Sequence, residues 1–464
     1  MPMRQDCLGP DSILLLPAKD TPLMDIAQKL SALVKYRTVS SFFPEEEDAT
    51  PFAAFPGALE QLFPAVHAKL ERTLVGQRAI VFRWQGRNSA LKPAMLCAHY
   101  DVVPASDDDP WEEPPFSGAI ERGFVWGRGT QDIKVQLASV LQAAEELLAQ
   151  GFAPERTLYF AFGGDEEVGG SRGAGAIASW LAERKVRVSW VIDEGSPVGK
   201  GLINLVRKPI ALIGIAEKGY ADIVIEVEGK GGHASMPPKH TALGMLARAI
   251  ASIETHPFPA KLTKTTMEFL GALAPHAKPP YRQVFALRRQ LKPAIVSAFS
   301  ASPSTNAMVR TTCAATMSDA SPKENVLPTV ARAVVNVRIL PGTKSSEVIE
   351  RLSTLLRPFG AKVYAKFPDH IVEASEESST TSEGWRSITS AIAETFPDAV
   401  ASPFLFTAST DTKHYRALSD DIYRFTPLVQ TNEDLAAVHN VNEKVSIENL
   451  ERSVDFFRSL IGRQ

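Results

Sequence analysis

Apolar residues recur along this chain in two rhythms. One is the three- and four-residue spacing of helices: Leu23, Ile26, Leu30 and Leu33 behind Pro22, then Val135, Leu137, Ala138, Leu141, Ala144 and Leu148. The other is a set of short apolar runs at Ala79–Trp84, Pro93–Ala98, Thr157–Phe162 and Val188–Ile192, several bounded by Gly or Pro. The first rhythm predicts amphipathic helices and the second strands. Unbroken runs such as Pro93–Ala98 suit the middle of a sheet covered on both faces. The two rhythms alternate in the order of a doubly wound α/β sheet flanked by helices. An irregular arm is expected over residues 1–20, a Pro- and acid-rich loop over 40–56, and a second helix near Gly57–Phe63.

After Gly195 the pattern changes. Asp222–Glu228 alternates like a half-exposed strand, and Thr241–Ile253 reads as a helix. Strands at Thr312–Met317 and Ala331–Ile339, a helix at Ser345–Leu356 and a strand at Ala361–Phe367 follow. This β-α-β-β-α-β order predicts a ferredoxin-like α+β unit, interrupted by a Pro-rich insertion at about 256–310.

Acidic residues and histidines gather where the first set of strands should end. His99-Tyr-Asp101 follows the second strand, and Asp132 is expected in the first turn of the long helix. Asp165-Glu166-Glu167 stands between two glycine pairs, and Asp193-Glu194-Gly195 ends the fourth strand. A helix cap explains Asp132 alone, and a solvated acidic turn explains the triple run alone. Neither explains four strand ends carrying metal-type donors, and ligands collect at the carboxyl ends of strands in such sheets. A carboxylate two residues from His99 also suits the second nitrogen of a metal-binding imidazole. A metal centre is therefore expected. Cys97, on the same strand as His99, reads as core packing.

Composition narrows the setting. The 464 residues are 44% hydrophobic and 22% charged with a net charge of −3, an ordinary globular balance without the basic footprint of a nucleic-acid binder. Three distant cysteines (Cys7, Cys97, Cys313) argue against a disulfide framework. No run reaches the ~18 apolar residues of a membrane span, and Ile13–Leu16 is too short for a signal-peptide core of about 7–15 residues. The expectation is a cytoplasmic protein.

With these residues in view, the chain resembles the superfamily of two-zinc amidohydrolases that includes aminoacylase, carnosinase and acetylornithine deacetylase. It is most similar to the branch of Gly-X carboxypeptidase (carboxypeptidase S) and N-fatty-acyl-amino-acid hydrolase/synthase. The match is carried by Lys208-Pro-Ile-Ala-Leu-Ile213, Glu217-Lys-Gly219, His233-Ala-Ser-Met-Pro-Pro-Lys239, Asn306-Ala-Met-Val-Arg310, Ile422-Tyr-Arg-Phe425 and His439-Asn-Val-Asn-Glu-Lys444. The resemblance implies a zinc-exopeptidase-like catalytic domain in two parts, 1–215 and 376–464, around a lid and dimerisation domain at 216–375. It implies two Zn2+ per chain, with Co2+ or Mn2+ as substitutes. His99 would hold one zinc, Asp132 would bridge, and Glu167 and His439 would hold the other. The fifth ligand falls in Asp193-Glu194, with Asp193 favoured. Glu166 would be the general base acting on a metal-bridging water, and Asp101 the partner of His99. His233 would polarise the carbonyl, often across a homodimer, and Asn325 and Arg338 would bind the substrate.

The implied activity is hydrolysis of short peptides or N-acyl amino acids with a free carboxylate, without nucleic-acid or membrane partners. Rivals are a carbamoyl or ureido amidohydrolase and an inactive binding member. One departure is Thr407–His414, where relatives carry a glycine before the Thr-Asp pair and this chain has Ala408-Ser409.

Overall fold

The computed structural model describes residues 24–464; the arm expected over 1–20, and Cys7 with it, lie outside these residues. The first helix, Ile26–Val34, starts at Asp25, whose side chain accepts from the Gln28 N–H while the Gln28 side chain returns the bond. The next helix differs from expectation. It runs Ala49–Leu62 and absorbs part of the presumed loop. Asp48 caps it, Pro51 falls in the first turn where its missing N–H costs nothing, and Phe52, Phe55, Leu59 and Leu62 line its buried face.

The main sheet has eight strands in the order Glu71–Val75, Ala79–Trp84, Leu158–Gly163, Ala94–His99, Trp190–Gly199, Ile422–Gln430, Ile210–Glu217 and Val400–Phe406. It is mixed: the first two pairings are antiparallel and the next three parallel. Alternation sorts its side chains between two cores. Phe82, Phe160, Leu96 and Ile192 stand opposite one another on neighbouring strands and join the helices Ile26–Val34, Lys134–Ala149 and Ile447–Gly462. Val81, Ala161, Met95 and Val191 face the other way, against Ala174–Glu183. Each large side chain so buried contributes about 1.5–3 kcal/mol.

A second, separate core lies under a four-stranded antiparallel sheet ordered Thr312–Asp319, Val330–Ile339, Gly219–Glu228 and Ala361–Ala365. Helices Ala242–Thr255 and Ser345–Leu356 cover one face of it. The chain enters this unit at Glu217–Gly219 and leaves it at Val372–Ser375, where Tyr220 N donates to Val372 O and Ser375 N donates to Glu217 O.

The Pro-rich insertion departs from its expected place in the lid. Its helices, beginning with Lys264–Leu273, pack Phe269, Leu270, Leu273 and Ile295 against Ile210, Leu212 and Phe404 of the main sheet. The apolar face of the last two strands draws it there rather than to the smaller sheet.

Candidate metal centre

The carboxyl ends of the central strands converge on two groups of donors. His99, Asp132 and Glu194 form one; Asp132, Glu167 and His439 form the other, each with ligand atoms within 4.8 Å of one another. Asp132 belongs to both. Its Oδ1 lies 2.9 Å from His99 Nε2 and its Oδ2 lies 3.0 Å from His439 Nε2. Glu194 Oε2 is 3.5 Å from His99 Nε2, and Glu167 Oε1 is 3.3 Å from His439 Nε2.

Each donor is held by its own local structure. His99 ends a fully buried strand, and its Nδ1–H donates to Asp101 O at 3.0 Å, with the Asp101 carboxylate 3.4 Å away. The Asp101 carboxylate also accepts from Ser40 Oγ at 2.7 Å and from the N–H groups of Glu166 and Glu167 at 3.0 and 3.1 Å. One side chain thus supports both the imidazole and the turn Glu166–Val168.

The triple acid run divides its labour. Asp165 faces the other way and accepts from the N–H groups of Arg172 and Gly173, both at 2.7 Å, just ahead of the helix Ala174–Glu183. Glu167 reaches the second donor group. Glu166 stands in neither group, and burial first, then the charge of Glu194, raises its carboxyl well above the usual range.

Asp132 is not in the first helical turn as expected. The helix begins at Lys134, and Asp132 closes the preceding loop. Glu443 holds that loop: its Oε1 accepts from the N–H groups of Gly129, Gln131 and Asp132 at 2.9, 2.8 and 3.3 Å, and its Oε2 pairs with Arg128 at 2.6 Å. Glu443 is fully buried and four residues past His439, so it joins the two loops that supply the second donor group.

Between the two alternatives in Asp193-Glu194, the carboxylate brought to His99 and Asp132 is that of Glu194. The expected strand end is instead a bulge within Trp190–Gly199: Asp193 pairs with Arg424 and Ser196 with Phe425, leaving Glu194 and Gly195 without partners. Such a bulge re-aims a side chain. Gly195 permits it, because a Cβ there would run into the Arg424 backbone. Asp193 turns back to accept from the Glu194 N–H at 2.9 Å.

The donor set fits a cation. With Nδ1–H committed to Asp101 O, the Nε2 lone pair of His99 faces the oxygens of Asp132 and Glu194. A lone pair facing carboxylates is repulsive unless a positive charge lies between them. Glu167 Oε1 and Asp193 Oδ2 are buried without hydrogen-bond partners. Burial pushes Glu194 up to about 8, while the adjacent carboxylates of Asp132 and Glu167 push His439 up to about 10. His439 itself takes a left-handed backbone, φ 60°, an uncommon conformation that clusters at functional sites.

The lid residues are elsewhere. His233 is exposed on a two-residue strand paired with Val326, and Ala234 N donates to Asn325 O, which brings His233 and Asn325 side by side. Arg338, on the strand Val330–Ile339, lies over the Tyr220 ring and donates to Asn336. Among the described residues no hydrogen bond joins these three to either donor group.

The sequence pattern described as peptidase family M20/M25/M40 matches residues 95–463. Probable carboxypeptidase S-like 2 of Dictyostelium discoideum is 37% identical over 468 residues, covering 98% of this chain and 88% of that protein. N-fatty-acyl-amino acid synthase/hydrolase PM20D1 of Mus musculus is 35% identical over 445 residues, covering 94% of this chain and 87% of its own. The crystal structure of the M20 family metallo-carboxypeptidase Sso-CP2 from Sulfolobus solfataricus shares the fold with a TM-score of 0.70 at 16% identity, covering 95% of this chain and 99% of that one. Human carnosine dipeptidase 1 shares it with a TM-score of 0.63 at 15% identity, over 94% and 95% of the two chains. A family pattern over residues 95–463, relatives alike over nearly the whole chain and two donor groups sharing one aspartate lead to one assignment: the chain belongs to peptidase family M20/M25/M40.

Proposed function

We propose that this metallohydrolase cleaves the amide bond joining an acyl or peptidyl group to an amino acid with a free carboxylate. The observation that carries the reading is Asp132, with one oxygen 2.9 Å from His99 and the other 3.0 Å from His439. His99, Asp132 and Glu194 would hold one divalent cation, and Asp132, Glu167 and His439 the second. Histidine and carboxylate donors suit zinc, with cobalt or manganese as substitutes. Cations there would polarise the scissile carbonyl and acidify the attacking water.

The remaining work falls to this chain's own groups. Glu166 stands free of both donor groups and takes the proton of the attacking water. It then delivers that proton to the leaving nitrogen as the C–N bond breaks. Asp101 keeps His99 in the tautomer whose Nε2 lone pair faces the centre and fixes the turn that carries Glu166.

The smaller sheet would act as a lid and as a homodimer surface. Its connectivity and its strand order, fourth-first-third-second, favour the ferredoxin-like reading. His233 is prepared to donate: its Nδ1 accepts from the Ser235 N–H at 3.1 Å, which leaves the proton on Nε2 for a developing oxyanion. Arg338 and Asn325 would take the substrate carboxylate, for which a guanidinium is geometrically suited. The lid would fall within 216–375, without the inserted helices that pack on the main sheet, and 1–215 and 376–464 would form the two parts of the catalytic domain. The free thiols of Cys97 and Cys313 favour a reducing, cytoplasmic setting, and no described helix is long and apolar enough to cross a membrane.

A substrate panel tests the reading. Dipeptides, acetyl-amino acids and long-chain acyl-amino acids should be hydrolysed, and the matching amides without a carboxylate should not. Equal rates with and without the carboxylate would overturn it. His233→Ala is expected to lower kcat by about 10²–10³-fold with little change in KM. In a dimer whose lids reach across, mixing His233→Ala with Glu166→Gln should restore activity, since one mixed site keeps both groups. Failure to restore it would place His233 over its own chain's site.

A further inference from the structure

Glu217 is the last residue of the strand Ile210–Glu217 and the first point at which the chain turns toward the lid. It is fully buried, and its ion partner Arg424 is 1% exposed. Four donors converge on its carboxylate: Arg424 Nε at 2.7 Å, Thr410 Oγ1 and Thr412 Oγ1 each at 2.9 Å, and the Thr410 N–H at 3.2 Å. Three of these donors fall on Oε2 and the Thr410 N–H on Oε1, so Arg424 and the loop that precedes and begins the turn Asp411–Tyr415 share the carboxylate.

That loop braces the turn bearing Glu166 on both sides. Asp411, between the two threonines, is buried against Gly163 and Gly170; a Cβ on Gly163 would meet Asp411 Oδ2 at 2.9 Å, and one on Gly170 would overlap Oδ1. His414 Nε2–H donates to Gly169 O at 2.9 Å, and Gly169 closes the turn Glu166–Val168. The backbone of Glu217 meanwhile joins both crossings to the lid. Its N–H donates to Ser375 Oγ at 2.8 Å, and its carbonyl accepts from Ser375 N at 3.0 Å. Lys218 extends the junction, its ammonium donating to Ala307 O at 3.1 Å and Arg310 O at 2.8 Å.

We infer that Glu217 is a positioning residue for hydrolysis: through Thr410 and Thr412 it ties the lid junction to the loop that seats the Glu166 turn. This rests on Glu166 being the general base. Thr412 is the point at which the tie can be cut without leaving a buried charge unpaired, because Arg424 stays on Glu217. Displacing a reacting group by about 1 Å can cost on the order of 10²-fold in rate.

Three variants of the full chain decide the matter, each assayed for kcat, KM, zinc content and unfolding midpoint on a substrate the wild type hydrolyses. Thr412→Val, near in shape but without the hydroxyl, is expected to lower kcat by about 10–10²-fold, with KM and zinc content retained. Thr412→Ser should restore turnover. Glu217→Gln combined with Arg424→Met removes both buried charges together and should reproduce the kcat loss. Wild-type kcat in Thr412→Val overturns the inference. So does equal loss in Thr412→Val and Thr412→Ser, or a kcat loss that only tracks lost zinc. Glu166→Gln is the reference: if it keeps its turnover, the general-base reading falls. If it is inactive while Thr412→Val is normal, only the role of Glu217 falls.

Discussion

Glu166→Gln is expected to lower turnover by about 10²–10⁴-fold while both metals stay bound. The expectation follows from the separation within one turn. Glu167 lies 3.3 Å from His439 and joins a donor group, whereas Glu166 joins neither. The turn should survive the substitution, since Asp101 holds it by the backbone N–H groups of Glu166 and Glu167. Glu167→Gln should show the opposite pattern, with metal content falling toward one per chain. Metal analysis beside single-turnover kinetics separates the two. A Glu166→Gln protein that loses metal and regains full rate on reconstitution would exchange the roles.

Removing the shared carboxylate should have the widest effect. Asp132→Ala is expected to abolish activity and strip both metals, whereas His439→Ala should strip only one. Chelation of the wild type should also lower its unfolding midpoint. A ligand that binds only the folded state stabilises it by about 2.7–4.1 kcal/mol at 100–1,000 times its Kd. Here it also relieves the crowding of Asp132, Glu167 and Glu194. Calorimetry before and after chelation, then after adding zinc back, reads this directly. An unchanged midpoint together with unchanged activity would dismiss the metal centre.

Most donors were legible because strand ends are legible. His99, Asp132 and Glu167 each stand beside a glycine-bounded or apolar run, His439 is named by the resemblance alone, and the fold brings all four into the two donor groups. The choice between Asp193 and Glu194 was not. Neighbours on a strand point to opposite faces, and the bulge at Glu194–Gly195 decides which one faces the centre. Asp132 was legible as a donor but its setting was not: it is expected in the first helical turn, yet it lies in a loop shaped by Glu443, more than 300 residues later. Glu217 was visible only as part of a motif. Its partners Thr410, Thr412 and Arg424 are remote in sequence, and a single chain shows no pairing between remote residues. The insertion was legible as a proline-rich interruption, but not its docking surface, which depends on how two distant strands, Ile210–Glu217 and Val400–Phe406, lie together.

That docking bears on how the protein could be shortened. The 264–309 segment looks dispensable, an addition to a unit that has its own core. Yet Phe269 meets Phe404 at a ring separation of 5.6 Å, and Leu270 and Leu273 lie over Ile210 and Leu212. Excising the segment would bare a contiguous apolar face at the end of an eight-stranded sheet, and such faces drive self-association. A trimmed chain would keep every donor of the metal centre and still fail as a preparation, precipitating before its chemistry could be measured.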